Sequence, residues 1–397
     1  MSKSSLNAKR AMTAAQTLGA LVLGVSFSFF FLNQSFNPEQ TNFETASAMG
    51  AETTDTFGVV DGFLIHCFGS RNAQRCLDGQ ADRAPKSAAL WLGNSQVHAV
   101  NQLQTGQVNA APLLFSSLSA QGLDLLTFSL PNANLQEHYV MFEYLRQHMP
   151  LKVLILPVCF DDMREEGVRS PDVSDFVNDP ETKRILIGSD IGRRIIKTAG
   201  TAGSGDGDSN VANETNGITG TIQEQVERDL NTWLGEHSRL WRTRPEIRGW
   251  LFYTVLYPLR NSLLGIKPST TRKMIRGRYS NNRAALEETL RSAGVAGIKV
   301  ALYIVPLRGG TEIPYDPLEY ANFKVDMQTL ANQYGVTFEN MESLVPDAAW
   351  GTKGSTTLAA DDEGDYMHFS YSGHKILADA LHRLTVDAIL NGKQVQP

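Results

Sequence analysis

The sequence predicts an α/β domain in which a parallel sheet is flanked by helices, interrupted by a long helical insertion and preceded by an N-terminal membrane anchor. Three observations predict this. Apolar runs of strand length alternate with stretches of helical pattern, the order that yields a parallel sheet with helices on both faces. The third and fourth runs are separated by well over a hundred residues that lack the alternation. An uncharged apolar stretch of bilayer length lies near the N-terminus.

The anchor is the first element. Residues 11–32 are 22 positions without a charge, and at roughly 1.5 Å per residue they match the hydrocarbon core. Lys3, Lys9 and Arg10 precede them with no acidic residue, so the positive-inside rule keeps the N-terminus in the cytoplasm and sends everything after Asn33 across the membrane. The alternative is a cleaved signal peptide. Its best cleavage signature, Ala46-Ser47-Ala48, lies 14 residues past the apolar run, too far for the usual geometry. The expected organisation is a cytoplasmic tip and transmembrane anchor over 1–32, a polar, turn-rich tether over 33–60, and a domain over 61–397 with its insertion at 170–282.

Within the domain, 88–92, 123–128 and 152–158 read as strands, with helical stretches at 97–103 and 135–149 between them. The fourth strand, 298–306, follows a helical stretch at 283–293, and the fifth, 336–340, follows one at 318–334. The last helix, 372–390, has Ser372 as its N-cap, Ile376, Leu377, Ala380, Leu381 and Leu384 on one face, and Asn391-Gly392 as its stop. The insertion contains a Gly, Ser, Asp, Asn and Thr-rich loop at 198–220, an amphipathic helix at 222–241, and the apolar stretch 249–266, interrupted by Pro258 and Arg260. Ten Lys or Arg and one acid, Glu246, lie between Arg239 and Arg278. A basic, aromatic-rich segment of this kind fits the bilayer surface or a membrane partner; the other reading is a cap helix on the core with solvated charges.

Composition narrows the function. A chain of 397 residues that is 42% apolar and 20% charged buries a full core. Its net charge of −6 excludes a dedicated nucleic-acid binder. Three cysteines exclude a disulfide-rich scaffold, and with no CxxC pair or HExxH helix no metal or other cofactor is expected. Cys67 and Cys76 flank a polar segment, and in an oxidising compartment a bridge between them closes a short loop worth about 3 kcal/mol; the alternative is two unrelated thiols. Cys159 reads as a buried bystander.

Chemistry enters at Gly93-Asn94-Ser95-Gln96, after the first strand. In a parallel sheet that is the carboxyl edge, where ligands bind and helix N–H groups point outward. A serine there is also a common helix N-cap when taken alone. The second motif is Asp365-Tyr366-Met367-His368, before the final helix. An acid three residues ahead of a histidine holds its carboxylate against Nδ1, fixes the tautomer and leaves Nε2 free to take a serine proton.

Together with the turn Ser129-Leu130-Pro131-Asn132-Ala133-Asn134, these motifs resemble the SGNH (GDSL-like) hydrolase superfamily over roughly residues 86–160 and 298–390. Within it they are similar to membrane-anchored proteins that handle acyl groups in bacterial envelopes, the alginate O-acetylation proteins and the D-alanyl transfer protein of teichoic acid synthesis. The resemblance implies Ser95 as nucleophile, His368 as general base and then acid, and Asp365 as the residue that orients His368. Asn132 stands where the family has a glycine whose backbone N–H serves the oxyanion, and Asp161 where it has an asparagine. A carboxylate donates no hydrogen bond, so Asp161 is protonated, contacts substrate hydroxyls, or leaves Arg164 to supply positive charge.

Acyl transfer to a polysaccharide hydroxyl through an acyl-serine follows from this resemblance. The acyl donor would be a membrane-bound O-acyltransferase, and the domain would face the periplasm from a single-pass anchor in the bacterial inner membrane, touching the bilayer through 249–266 as well. The same triad serves a carbohydrate esterase, and the altered position 161 admits a non-catalytic subunit of a polysaccharide complex.

Overall fold

The computed structural model describes residues 57–98, 103–168, 171–202, 271–353 and 363–391, with Gly24 and Phe27 as isolated positions. The chain divides into two compact units, and every element below lies in the one built from Glu44–Ser209 and Arg260–Pro397. A small antiparallel pair, β1 (Val59–Val60) and β2 (Phe63–Leu64), opens the unit. Six parallel strands follow: β3 (His66–Cys67), β4 (Ala88–Gly93), β5 (Asp124–Ser129), β6 (Leu151–Val158), β7 (Lys299–Ile304) and β8 (Thr337–Asn340), in the spatial order β3-β5-β4-β6-β7-β8. Every residue of β4 and β5 is buried, because helices cover both faces of the sheet.

The chain leaves β4 through α2 (Ala110–Ser119) for β5 on one side, then returns through α3 (Leu135–Leu145) past β4 to β6. This reversal, made with right-handed crossovers, produces two helical layers. In one, α2 packs on α9 (Tyr371–Asn391). In the other, α3 packs on α7 (Arg276–Val295), and α7 on α8 (Pro317–Tyr334). The helix starts are written locally: Asn134 and Glu137 form a capping box on α3, and Asp316 caps α8 ahead of Pro317. Asp124, buried at the start of β5, takes bonds from Arg83 Nη2 and Gln80 Nε2, each at 2.9 Å, which tie α1 (Ala73–Arg83) to the sheet. Helices α4 (Pro171–Asn178), α5 (Pro180–Ile187) and α6 (Asp190–Ala202), from the insertion, pack on one another, and α4 and α5 also pack on α3.

All five expected strands form, each within two residues of its expected ends. Other expectations need correction. Of the helix expected over 97–103, residues 99–102 lie outside the described residues; Ser95–Val97 is one 3₁₀ turn, His98 is extended, and a described helix begins at α2, where Asn109 Oδ1 accepts from Ala111 N–H. The Asp365–His368 motif lies in β10 (Glu363–Phe369), which pairs antiparallel with β9 (Trp350–Lys353) in a separate two-stranded sheet. Ser372 is not the N-cap of α9 but lies in its first turn, bonded to Ser370 Oγ at 3.0 Å. The loop expected from 198 is helical through Ala202, since α6 continues the apolar spacing of Ile191, Ile195 and Ile196. The insertion ends earlier than 282, because α7, the crossover helix into β7, begins at Arg276. The tether gives way to β1 at Val59.

The expected anchor lies outside the described residues except for Gly24 and Phe27, which are helical with Phe27 exposed. Segments 222–241 and 249–266 lie wholly outside them. Among the described residues no helix is long and apolar enough to cross a membrane.

Candidate active site

The strand order reverses around β4, so the connections leaving β4 and β6 diverge and open a crevice at their carboxyl ends. The nucleophile candidate stands there. Gly93 ends β4, and a Cβ on it would lie 2.5 Å from Val97 Cγ2 and 3.1 Å from Ser129 Cβ, so only glycine allows the turn to fold back this tightly. Asn94 caps the 3₁₀ turn, its Oδ1 accepting from Gln96 N–H at 3.0 Å. Ser95 follows as the first residue of the turn and is 7% exposed.

His368 reaches the same crevice from β10. Its Nδ1 lies 2.7 Å from Asp365 Oδ2, while Asp365 Oδ1 accepts from the backbone N–H of Met367 at 2.8 Å and of His368 at 3.2 Å. A carboxylate accepting on both oxygens requires the proton on Nδ1, so Nε2 carries the lone pair. That Nε2 is buried with no partner among the described residues. Ser95, Asp365 and His368 line one cleft of about 170 Å³, together with Asn94, Asn132, Asp161, Asp162, Arg272, Tyr366 and Met367.

Asn132 sits in the turn after β5 with φ +56°, the left-handed region. Asparagine is among the non-glycine side chains that enter this region most readily. Asp161 lies at the exit of β6, where Arg272 Nη1 (2.7 Å), Arg164 Nη1 (3.3 Å) and Tyr315 Oη (3.1 Å) all donate to it. It serves as an acceptor throughout. Arg164 turns away to Lys273 O (3.0 Å) and does not line the cleft. The guanidinium that does is Arg272, from the basic run that reads either as a face for the bilayer or a membrane partner or as solvated charge around a cap helix. Burial opposes its charge, but Asp161 and the hydroxyls of Tyr366 and Tyr315 outweigh this and raise its pKa.

Two further features escaped the sequence. Asp162 Oδ2 accepts from Asn94 Nδ2 at 2.9 Å and so steadies the nucleophile turn; Asp162 follows Asp161 in sequence, with nothing local to mark this bond. Behind the site lies a group of buried histidines. His66 Nε2 meets Ser129 Oγ at 2.6 Å, and Ser129 Oγ meets His98 Nε2 at 3.0 Å. Burial, and next the nearby His368, lower His98 and His374 to about 3, so both stay neutral. Among the described residues no group of three or more His, Cys, Asp or Glu is arranged to hold a metal. Cys67 and Cys76 are joined in a disulfide. Cys159 is free and buried, its thiol pushed up mainly by desolvation.

The sequence motifs resemble those of the SGNH (GDSL-like) hydrolases, and the residues they single out, Ser95, Asp365 and His368, line one cleft. No family model and no curated protein matches the chain. Among solved structures it is similar to Axe2, an acetylxylan esterase from Geobacillus stearothermophilus, with 10% identity, TM-score 0.35, and coverage of 78% of this chain and 96% of that one. It is similar also to a protein described as a GDSL-like lipase from Parabacteroides merdae, with 10% identity, TM-score 0.35, and coverage of 76% and 96%. The likeness to alginate O-acetylation and D-alanyl transfer proteins rests on the sequence motifs alone.

Proposed function

We propose that this chain carries out serine-dependent acyl chemistry, transferring an O-acyl group to a polysaccharide hydroxyl through an acyl-Ser95 intermediate. The observation that carries the reading is the Asp365–His368 pair at 2.7 Å, with Nε2 unpaired among the described residues, in the cleft that holds Ser95. His368 Nε2 takes the Ser95 Oγ proton as the oxygen attacks the acyl carbonyl. The backbone N–H groups of Ser95 and Asn132 receive the oxyanion, and Arg272 supplies positive charge at the cleft wall. His368 then returns the proton to the leaving oxygen, and a second nucleophile repeats the cycle in reverse to release the acyl group.

The compartment follows the same reading: an anchor over 11–32 places the domain outside a bacterial cytoplasmic membrane, and the Cys67–Cys76 disulfide suits that oxidising side. A membrane-bound O-acyltransferase is the proposed acyl donor, with the 249–266 segment at the bilayer. Transfer is tested by supplying an activated acetyl ester with and without a deacetylated polysaccharide and measuring where the acetyl group goes. Acetylated polysaccharide supports transfer, whereas free acetate at an unchanged rate in the presence of acceptor makes the chain an esterase.

A further inference from the structure

The nucleophile and the base stand on elements that no shared ladder connects. Ser95 follows β4 in the six-stranded sheet, while His368 lies on β10 in a separate two-stranded sheet. The β10–β9 register is also interrupted between Gly364 and Phe369, the stretch that carries Asp365 and His368. Strand pairing therefore does not set the distance from Ser95 to His368.

A side chain spans this gap. Gln96 Nε2 donates to Met367 O at 3.1 Å and to Pro306 O, just beyond β7, at 2.8 Å. Both acceptors are carbonyls, so the amide can be oriented only with its NH₂ toward them. The Met367 residue is thus held at both ends, its N–H by Asp365 Oδ1 and its C=O by Gln96. On the other side, the Gln96 backbone N–H is held by Asn94, which is held by Asp162 beyond the end of β6. The connections leaving β4, β6 and β7 and the strand bearing the base are thereby linked around the cleft.

Gln96 is 2% exposed, and its Oε1 is buried with no partner among the described residues. A methionine would fill the same space but take the donor from the Pro306 and Met367 carbonyls. Gln96 is also absent from the cleft lining.

We infer that Gln96 is a positioning residue, a brace whose side-chain amide sets the spacing between Ser95 and the His368 imidazole. The inference rests on the serine chemistry proposed above. Misplacing a catalytic group by about 1 Å lowers rates on the order of 100-fold, while substrate binding is spared.

The test uses the full-length chain and a fluorophosphonate probe that labels an activated serine, alongside ester kinetics. Gln96→Met and Gln96→Glu are expected to slow Ser95 labelling by roughly 10- to 100-fold through kcat, with KM changed less than about twofold. The low-field proton resonance of the His368 Nδ1–H bond should persist, because the Asp365 pair does not involve Gln96; a general loss of structure would remove it. Should neither variant fold, Gln96→Asn keeps an amide in place but is one methylene too short to span the gap, and the same loss is expected. Labelling at the unsubstituted rate in Gln96→Met, or in a folded Gln96→Asn, overturns the brace. An unsubstituted chain that takes no label at Ser95 instead removes the serine chemistry, and the brace with it.

Discussion

Replacing Asp365 by asparagine separates the chemistry of the pair from its packing, because the two side chains are almost the same size. Asp365 Oδ1 accepts from two backbone N–H groups and Oδ2 from His368 Nδ1. An asparagine has one acceptor oxygen. Keeping it toward the two backbone donors leaves an NH₂ facing Nδ1, which must then be the acceptor, so the ring proton moves to Nε2. The base then has no lone pair toward Ser95. A wrong tautomer of this kind costs on the order of 10⁴ in kcat, about 5.5 kcal/mol of transition-state stabilisation. The fold should survive, since both backbone bonds are retained. The assay is hydrolysis of an activated acetyl ester by the Asp365→Asn chain, with thermal melting as the control. A loss smaller than tenfold in a folded protein would refute the assignment of Asp365 and the tautomer argument with it.

Three other outcomes follow from the geometry. Burial lowers His98 and His374 to about 3 and His138 to about 4. The unfolded chain therefore binds more protons below pH 6.5, so stability is fully present above that value and falls as pH drops toward 3, by about 2 kcal/mol per histidine at pH 5; melts at pH 7 and pH 5 that coincide would contradict this. Replacing both Cys67 and Cys76 by alanine should destabilise the fold by about 3 kcal/mol, measured by denaturant unfolding against the oxidised chain. Arg272→Met should lower kcat/KM roughly tenfold or more, because Asp161 is left beside the developing oxyanion with less compensation; adding Asp161→Asn should recover part of that loss, and no recovery would show that the two do not act together.

The sheet was legible because its strands are buried on both faces: 88–92 is apolar throughout and 152–158 is apolar after Lys152, and nothing else of that length fits a covered strand. The candidate residues were legible because spacing marks them, three residues from acid to histidine and a Gly-Asn-Ser turn at a strand end. Long-range partners left no such mark. Arg272 reads as one more charge in a basic run, and its place in the cleft follows from an ion pair with a residue more than a hundred positions earlier. The edge strand β3 is two residues long and has no period to detect. His66, His98 and His374 are scattered singly along the chain, and only the fold brings them together behind His368. Gln96 adjoins the nucleophile in sequence, yet its bonds to Pro306 and Met367 depend on how β7 and β10 end.

The most direct test of the account is the intact mass of the full-length chain after brief exposure to an activated acetyl ester. An adduct of one acetyl group is predicted, mapped to the peptide containing Ser95, present in the unsubstituted chain and absent in Ser95→Ala. An adduct that persists in Ser95→Ala, or that maps to another residue, would contradict the central claim.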